Sequence, residues 1–343
     1  MPTPSSTPTF QHSQVPVRGS SLHVVEAGPK DGPAYLLLHG WPQSWFAWRG
    51  VMAAGAEAGA RMIAVDLPGI GESTGDPTDG SKSALAAVIL DLVPALGLDR
   101  PVLVGHDCGG MIAWACLQAG AVPITAGLSP ADLLGTEPPA DPTPAGLSPA
   151  GLLGTEPPAD TPAPANTTPP EPATAEPGPF RRVVIMDTVV PGLEPWDEVV
   201  ARPYVWHFAF HAIPGLPETM VAGRERPYFD YFFDVLSPDP ARIPEEARAA
   251  AVAAYQRPES LAAGFSWYQK LSEDAAAATT SGQRIDTPLR YLRGGNDDGE
   301  LTPYLEGFRR AGVADVQGAL IPGAGHFSPE EDPAAVWAEA SGE

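Results

Sequence analysis

The chain has 343 residues, of which 43% are hydrophobic, so it is long and apolar enough for a large core with an appended cap. Its net charge of −22 argues against nucleic acid and against an anionic membrane surface as partners, because both bind basic patches. The first residues lack a signal-peptide pattern and no apolar run reaches the ~20 residues of a membrane span, which predicts a cytoplasmic protein.

Apolar runs and helical patterns alternate along most of the chain. Residues 1–12, rich in Ser, Thr and Pro, predict a disordered tail. Helical spacing is clearest at 83–98, and apolar runs predict buried strands at 34–40, 61–69, 101–107, 181–187, 288–294 and 314–323. Strands without polar alternation, separated by helices, predict an α/β fold with a mostly parallel sheet covered on both faces.

Two segments interrupt this alternation of predicted strands and helices. Residues 121–180 hold 16 of the 42 prolines, and AGLSPADLLGTEPPAD at 126–141 recurs almost unchanged at 145–160. Two copies are too few for a repeat fold, so a solvated low-complexity insertion is favoured over a docking segment for a partner. Residues 191–280 are rich in aromatics with helical spacing, which predicts a helical cap. The two segments divide the core into a first part at 13–120, a strand at 181–190 and a second part at 281–343.

The stretch VGHDCGG, residues 104–110, has the frame of a nucleophile elbow, in which a strand and a helix flank a Gly-x-nucleophile-x-Gly turn. The usual nucleophile is Ser, but here it is Asp107. A carboxylate that attacks saturated carbon forms an alkyl ester, which water can hydrolyse, whereas Ser would leave a stable ether. Asp107 therefore predicts a leaving group on an sp³ carbon, in an epoxide or a carbon–halogen bond.

Hydrolysis of such an ester needs a base for water and donors for the carbonyl oxygen. His326, in GAGHF after the last predicted strand, stands where the base of such folds belongs. The backbone N–H groups of Trp41, in HGWP, and of Cys108, which follows the nucleophile, are predicted to bind the oxyanion.

The motifs HGWP, DLPGIGES, GHDCGG and GAGHF, in that order, resemble the α/β-hydrolase superfamily, in the branch of epoxide hydrolases and haloalkane or haloacetate dehalogenases. The resemblance implies an α/β-hydrolase fold with a helical cap and a hydrolase without cofactor or metal. It also implies an acid that orients His326, placed after the sixth or the seventh core strand. Asp187 and Asp297 fill these two positions, and Asp187 is favoured because the residues after it resemble epoxide hydrolases that use the earlier one.

Two cap residues carry the resemblance further. Tyr268, in SWYQKL, resembles the Tyr whose hydroxyl holds the epoxide oxygen, and His207, in VWHFAFH, matches its partner in a subgroup that pairs His with Tyr. An epoxide needs such donors because its oxygen leaves as an alkoxide that stays attached, whereas a halide needs no proton. The neighbouring aromatics are predicted as pocket walls or cap core: Trp206, Phe208, Phe210 and Trp267.

The sequence thus predicts an epoxide hydrolase whose partners are a small apolar epoxide and water. A dehalogenase is the first alternative, but haloalkane dehalogenases typically carry Trp, and haloacetate dehalogenases Arg, where this chain has the weak, uncharged donor Cys108. The second alternative is a catalytically silent α/β-hydrolase that serves as a binding module, against which the complete set of nucleophile, base and acid speaks. The oligomeric state is left open, a homodimer included.

Overall fold

A computed structural model of the protein describes residues 9–75, 79–120, 178–278, 284–296 and 300–342. The Pro-rich repeat and Asp297 lie outside these ranges. In the described part, one sheet of eight strands has the order β1-β2-β4-β3-β5-β6-β7-β8. The strands are β1 (Gln11–Val17), β2 (Ser20–Ala27), β3 (Ala34–Leu38), β4 (Arg61–Val65), β5 (Val102–His106), β6 (Arg182–Met186), β7 (Leu289–Gly294) and β8 (Val316–Ile321).

The sheet is parallel from β4 to β8, while β1 and β2 pair antiparallel with each other and β2 pairs antiparallel with β4. Alternate residues of the central strands enter different cores. Leu36 and Leu38 belong to one apolar cluster and Leu37 to the other, so both faces of the sheet are covered. The predicted mostly parallel sheet with two buried faces is therefore confirmed.

Helices cover the sheet on both sides and form the cap. In chain order they are α1 (Arg49–Glu57), α2 (Lys82–Ala95), α3 (Cys108–Ala119), α4 (Trp196–Val200), α5 (Trp206–His211), α6 (Leu216–Val221), α7 (Glu225–Leu236), α8 (Glu245–Tyr255), α9 (Pro258–Gln269), α10 (Leu271–Ala278), α11 (Thr302–Arg310), α12 (Ser328–Glu331) and α13 (Pro333–Ser341). Residues of α2, α3 and α11 pack in one core cluster, and residues of α1 and α13 pack in the other. No helix in the described ranges is long and apolar enough to cross a membrane.

Strands β1 and β2 were not predicted, and β1 begins at Gln11, inside the segment predicted as a tail. The residues of β1 are ordered by their ladder with β2, a partner that local composition does not reveal. A two-residue turn joins the strands, with Arg18 at φ 47° and Gly19 at φ 79°. Asn-Gly or Asp-Gly is the usual sequence for this turn, and β1 is an exposed, polar edge strand, so the hairpin gives little signal.

The helices α4 to α10 lie between β6 and β7, within the predicted cap segment. A buried ion pair ties this cap to the core, because the Lys82 ammonium of α2 lies 3.1 Å from Asp274 Oδ2 of α10. The same ammonium donates a 2.7 Å hydrogen bond to the carbonyl oxygen of Trp267 in α9. One core side chain therefore holds two cap helices in place.

Candidate active site

The turn between β5 and α3 places Asp107 at φ 50° and ψ −121°, a strained backbone conformation for a residue with a side chain. Close backbone contacts require the glycines on either side. A Cβ on Gly105 would lie 2.2 Å from the carbonyl oxygen of Gly109, and a Cβ on Gly109 would lie 2.3 Å from the carbonyl oxygen of Leu38. The strand-turn-helix geometry that the Gly-x-Asp-x-Gly spacing predicts is therefore present.

The carboxylate of Asp107 is held from the neighbouring loop after β3. Its Oδ1 accepts a 2.8 Å hydrogen bond from the backbone N–H of Trp41. A Cβ on Gly40 would lie 2.3 Å from the Cβ of Asp107, so only glycine allows the loop to come this close. Cys108 is the first residue of α3, and its N–H has no acceptor within the helix. The two predicted oxyanion donors thus belong to segments that meet at Asp107.

His326 lies between β8 and α12 and faces the same carboxylate, with its Nε2 3.7 Å from Asp107 Oδ2. Its backbone N–H donates to the carbonyl oxygen of Leu236, in cap helix α7. The His326 loop therefore bridges core and cap. The 3.7 Å separation is longer than a hydrogen bond, so the imidazole is adjacent to the carboxylate without being tied to it.

Glu331 fixes the loop of His326, a role that we did not predict from the sequence. Its carboxylate accepts hydrogen bonds from the backbone N–H groups of Gly325 and Phe327, at 2.9 and 3.0 Å, and from the Ser237 hydroxyl at 3.2 Å. The two backbone donors flank His326 in sequence. The sequence shows only two adjacent acidic residues in a short helix after the base. That pattern does not indicate which backbone groups the carboxylates contact.

Asp187 follows β6 with φ 48°, and its side chain is buried. Its Oδ1 accepts the N–H of Gly294 at 2.7 Å, and its Oδ2 accepts the hydroxyl of Ser328 at 2.5 Å. Asp187 thus connects the ends of β6 and β7 with the segment after His326. The alternative acid, Asp297, lies outside the described residues.

A cavity of about 370 Å³ opens between the sheet edge and the cap, a size that suits a small ligand. Asp107, Asp187 and His326 line it from the core, and His207 and Tyr268 line it from the cap. The rings of the two cap residues are 5.8 Å apart between centroids. The remaining cap wall is mostly apolar and includes Val199, Tyr204, Val205, Phe208, Phe232, Val235 and Leu236.

Burial keeps the two polar cap residues neutral. Burial, reinforced by the nearby charge of His326, lowers the pKa of His207 to about 3. Burial, with Cys108 and Asp107 close by, raises the pKa of Tyr268 well above its usual value of about 10. Tyr268 therefore keeps its phenolic proton at neutral pH and can donate it toward the cavity.

Three of the aromatic residues that we predicted as pocket walls or cap core do not line the cavity. In α5, His207 and Phe208 face inward, so Trp206 lies on the outer side and is 41% exposed. Phe210 packs against Trp206, Tyr228 and His211. Trp267 is fully buried beneath the cap, with its ring 6.2 Å from that of His39. Helical periodicity turns these side chains away from the cavity, while Phe208 does line it.

The side chain of Trp41 has a role that the motif did not reveal. Its ring contacts seven aromatic or His rings of the cap: His207, His211, Tyr228, Phe229, Phe232, Phe265 and Tyr268. The contacts with His211 and Phe232 are close, at 4.6 and 5.0 Å between centroids. One loop residue therefore holds the nucleophile with its backbone and the cap with its ring.

Within the described ranges, no group of three or more His, Cys, Asp or Glu side chains is arranged to hold a metal ion.

Comparison with known proteins supports a hydrolase. Residues 33–333 match the family described as the alpha/beta hydrolase fold. The chain is 26% identical over 329 residues to a soluble epoxide hydrolase from Corynebacterium sp. (strain C12), covering 94% of this chain and 93% of that one.

Two further similarities differ in extent. A 156-residue segment is 35% identical to bifunctional epoxide hydrolase 2 of Sus scrofa, but it covers 41% of this chain and spans only 28% of that enzyme. The crystal structure of Cfl2 from Burkholderia cenocepacia superposes with a TM-score of 0.71 at 25% identity, covering 97% of this chain and 95% of the other. The likeness to the bacterial proteins therefore extends over core and cap together.

Proposed function

The chain belongs to the alpha/beta hydrolase fold family, its relatives include epoxide hydrolases, and we propose that it converts epoxides to vicinal diols through an alkyl ester on Asp107. One observation carries the proposal. A carboxylate occupies the nucleophile turn, with one oxygen held by the N–H of Trp41 and the other next to His326. That arrangement suits attack on saturated carbon followed by hydrolysis of an ester.

In the first step, Oδ2 of Asp107 bonds to an epoxide carbon and the carbon–oxygen bond of the ring breaks. The ring oxygen takes up negative charge and needs a donor, which Tyr268 and His207 supply from the cap. Both are neutral in the cavity, so the developing alkoxide meets an O–H or N–H group. Oδ1 becomes the carbonyl oxygen of the ester and stays on the N–H of Trp41.

In the second step, His326 takes a proton from water, whose oxygen adds to the ester carbonyl carbon. Negative charge then moves to the oxygen that Trp41 already holds, and the N–H of Cys108 is the second donor. Collapse breaks the ester bond, the departing alkoxide takes the proton from His326, and the diol is released. The remaining water proton replaces the one given up by the cap donor, which regenerates the Asp107 carboxylate with one oxygen from water. Asp187 is our proposal for the acid that orients His326, because its carboxylate borders the same cavity.

A substrate panel tests this function against its alternatives. We expect the protein to release diol from small apolar epoxides and to release little halide from haloalkanes or haloacetate. Halide release at rates above diol release would instead identify a dehalogenase with the same nucleophile. Failure to turn over any substrate, by a protein shown to be folded, would favour a binding module.

Replacement of each acid by Asn separates the two orienting candidates. We expect Asp187→Asn to slow ester hydrolysis strongly, whereas Asp297→Asn should have a small effect. The reverse result would move the role to the position after β7.

The predicted cytoplasmic location also remains a proposal, which is based on the composition of the sequence.

A further inference from the structure

A second cavity lies at the edge of the sheet opposite the active site. It has a volume of about 520 Å³, and none of the residues that line it also lines the active-site cavity. Its walls include Tyr35, Val102 and Leu289, at the amino ends of β3, β5 and β7. Asp107 follows the carboxyl end of β5, so the length of a five-residue strand, about 16 Å, separates the two edges.

Three arginine side chains meet in this cavity. Arg182 and Arg290 lie on the neighbouring strands β6 and β7, and Arg181 comes directly before β6. Val184 pairs with Arg290 in the sheet, and Arg182 lies two residues before Val184. Because alternate residues of a strand share a face, the two strand arginines lie on the same face of the sheet. Burial lowers the pKa of Arg182, and the nearby charges of Arg290 and Arg181 also lower it, as expected for like charges close together.

The last turn of α13 fixes two of the three guanidinium groups. Nη2 of Arg182 donates to the carbonyl oxygen of Ala340, and Nη2 of Arg290 pairs with the carboxylate of Glu339. The Nε–H groups of both arginines are buried and have no acceptor among the described residues. A buried donor without an acceptor costs free energy, so these two groups favour a ligand that brings acceptor oxygens.

The third guanidinium group has no carboxylate partner. Arg181 is exposed, and its guanidinium carbon lies 5.5 Å from the centroid of the Tyr35 ring. It forms no ion pair within the described part of the chain, although acidic residues outnumber basic ones by 42 to 20. Attachment of α13 would explain Arg182 and Arg290, but Arg181 takes part in neither contact with that helix. With Glu339 engaged and Asp315 in the cavity wall, three cations meet two anions, so the site is cationic in a chain of net charge −22.

We propose that this cavity binds a small organic phosphate, whose oxygens accept hydrogen bonds from Arg181, Arg182 and Arg290. A phosphate monoester carries about two negative charges and directs its oxygens several ways, so it can engage three guanidinium groups. A carboxylate has only two oxygens in one plane, which a single arginine satisfies. The organic part would lie against Tyr35 and Pro288, which line the same cavity, and a volume of about 520 Å³ suits a small molecule.

Calorimetry with inorganic phosphate and phenyl phosphate tests the site on the full protein. At constant ionic strength, set with sodium chloride, both anions should bind to one saturable site. Phenyl phosphate should bind about tenfold more tightly than inorganic phosphate, because its ring adds apolar contact. Benzoate, which has the ring and a single carboxylate, should bind at least about tenfold more weakly than phenyl phosphate.

Three results of these titrations would overturn the proposal. The first is the absence of saturable binding by either phosphate. The second is benzoate that binds as tightly as phenyl phosphate, which would remove the preference for phosphate. The third is inorganic phosphate that binds as tightly as phenyl phosphate, which would remove the organic part of the ligand.

Arg181→Gln assigns the binding to this cavity. It removes one cation and leaves both contacts with α13, so it should weaken the binding of phenyl phosphate by about tenfold. Arg284→Gln is the matched control, because Arg284 is exposed, pairs with Asp286 and does not line the cavity. Its affinity for phenyl phosphate should change less than about twofold. Equal affinities in Arg181→Gln and the wild-type protein would place the ligand elsewhere and contradict the proposal.

Thermal unfolding gives a second readout. Saturating phenyl phosphate should raise the thermal midpoint of the wild-type protein, because the ligand binds only the folded state. A variant that combines Arg181→Gln with Arg290→Gln should show no such rise, and its midpoint without ligand shows whether it is folded. An equal rise in both proteins would contradict the site. These measurements need no epoxide, so failure of the proposed function would leave their outcome unchanged.

Discussion

The two sides of the cavity are positioned by different forces. On the core side, Asp107, Asp187 and the loop of His326 are held by hydrogen bonds from named donors at 2.5 to 3.0 Å. On the cap side, His207 and Tyr268 are held by ring packing around Trp41, and Nδ1 of His207 is buried with no hydrogen-bond partner among the described residues. The core-side residues are thus held by individual hydrogen bonds, whereas the cap-side residues are held by the packing of their rings.

The difference matches the two steps of the proposed reaction. Ester hydrolysis uses groups of the core, whose positions are set by directional bonds. Ring opening also uses donors from the cap, which are positioned by packing. Apart from Asp107, which acts in both steps, substitutions on the core side should therefore affect hydrolysis, and substitutions on the cap side should affect alkylation.

His326→Gln should give the largest effect. It removes the base and leaves the nucleophile, so one equivalent of substrate should react and the ester should persist. Steady-state turnover should fall by about 10⁴-fold or more, as for other base deletions. Mass spectrometry of the intact protein would detect the added alkyl group, and a variant that turned over without accumulating adduct would contradict the assignment.

Lys82→Met tests the attachment of the cap to the core. It leaves Asp274 buried without its cation, which should cost about 3–5 kcal/mol of unfolding free energy. Chemical denaturation would measure this loss. Lys270→Met is the matched control, because Lys270 pairs with Glu273 on the surface and its loss should leave stability nearly unchanged. Similar losses of unfolding free energy in both variants would contradict the role of the buried Lys82–Asp274 ion pair in attaching the cap to the core.

Tyr268→Phe should slow alkylation by about 10²–10³, equivalent to ~3–4 kcal/mol, because one donor to the alkoxide is lost. Hydrolysis of a preformed ester should be nearly unchanged. Tyr255→Phe is the matched control, since Tyr255 is fully buried in the cap and does not line the cavity. Rapid-quench measurements would follow both steps, and normal alkylation in Tyr268→Phe would exclude it as a donor.

Substitutions along α5 should give the smallest effects and separate its two faces. Phe208→Ala removes part of the cavity wall and should raise KM about tenfold, equivalent to a loss of ~1–2 kcal/mol of apolar contact. Trp206→Ala, on the outer face, should change KM less than about threefold. A larger effect at Trp206 would return that side chain to the substrate pocket.

The core side of the site could be predicted from the sequence because it depends on turns. Gly105 is required by its contact with Gly109, four residues away, and Gly109 by the end of the neighbouring strand β3, but both glycines belong to one short motif that the sequence displays. The HGWP loop was similarly predicted to carry a donor. The central strands were found for a related reason, since burial on both faces leaves uninterrupted apolar runs.

The features that were missed depend on distant partners. The hairpin of β1 and β2 lies at an exposed edge and has no usual turn sequence. Glu331 also accepts a hydrogen bond from Ser237, which lies far from it in the chain, so neighbouring residues do not reveal this contact. Trp206, Phe210 and Trp267, predicted as pocket walls or cap core, do not line the cavity, because packing sets which face of a cap helix turns inward and composition alone does not give this.

The fate of oxygen from water tests the covalent role of Asp107 most directly. In a single turnover in ¹⁸O-water with enzyme in excess, water should add to the ester carbonyl and leave its oxygen in the carboxylate of Asp107. Mass spectrometry of the peptide containing Asp107 should then show the ¹⁸O, and the diol from that first turnover should lack it. Label in the diol, with none in that peptide, would contradict the covalent ester and show that water attacks the epoxide itself.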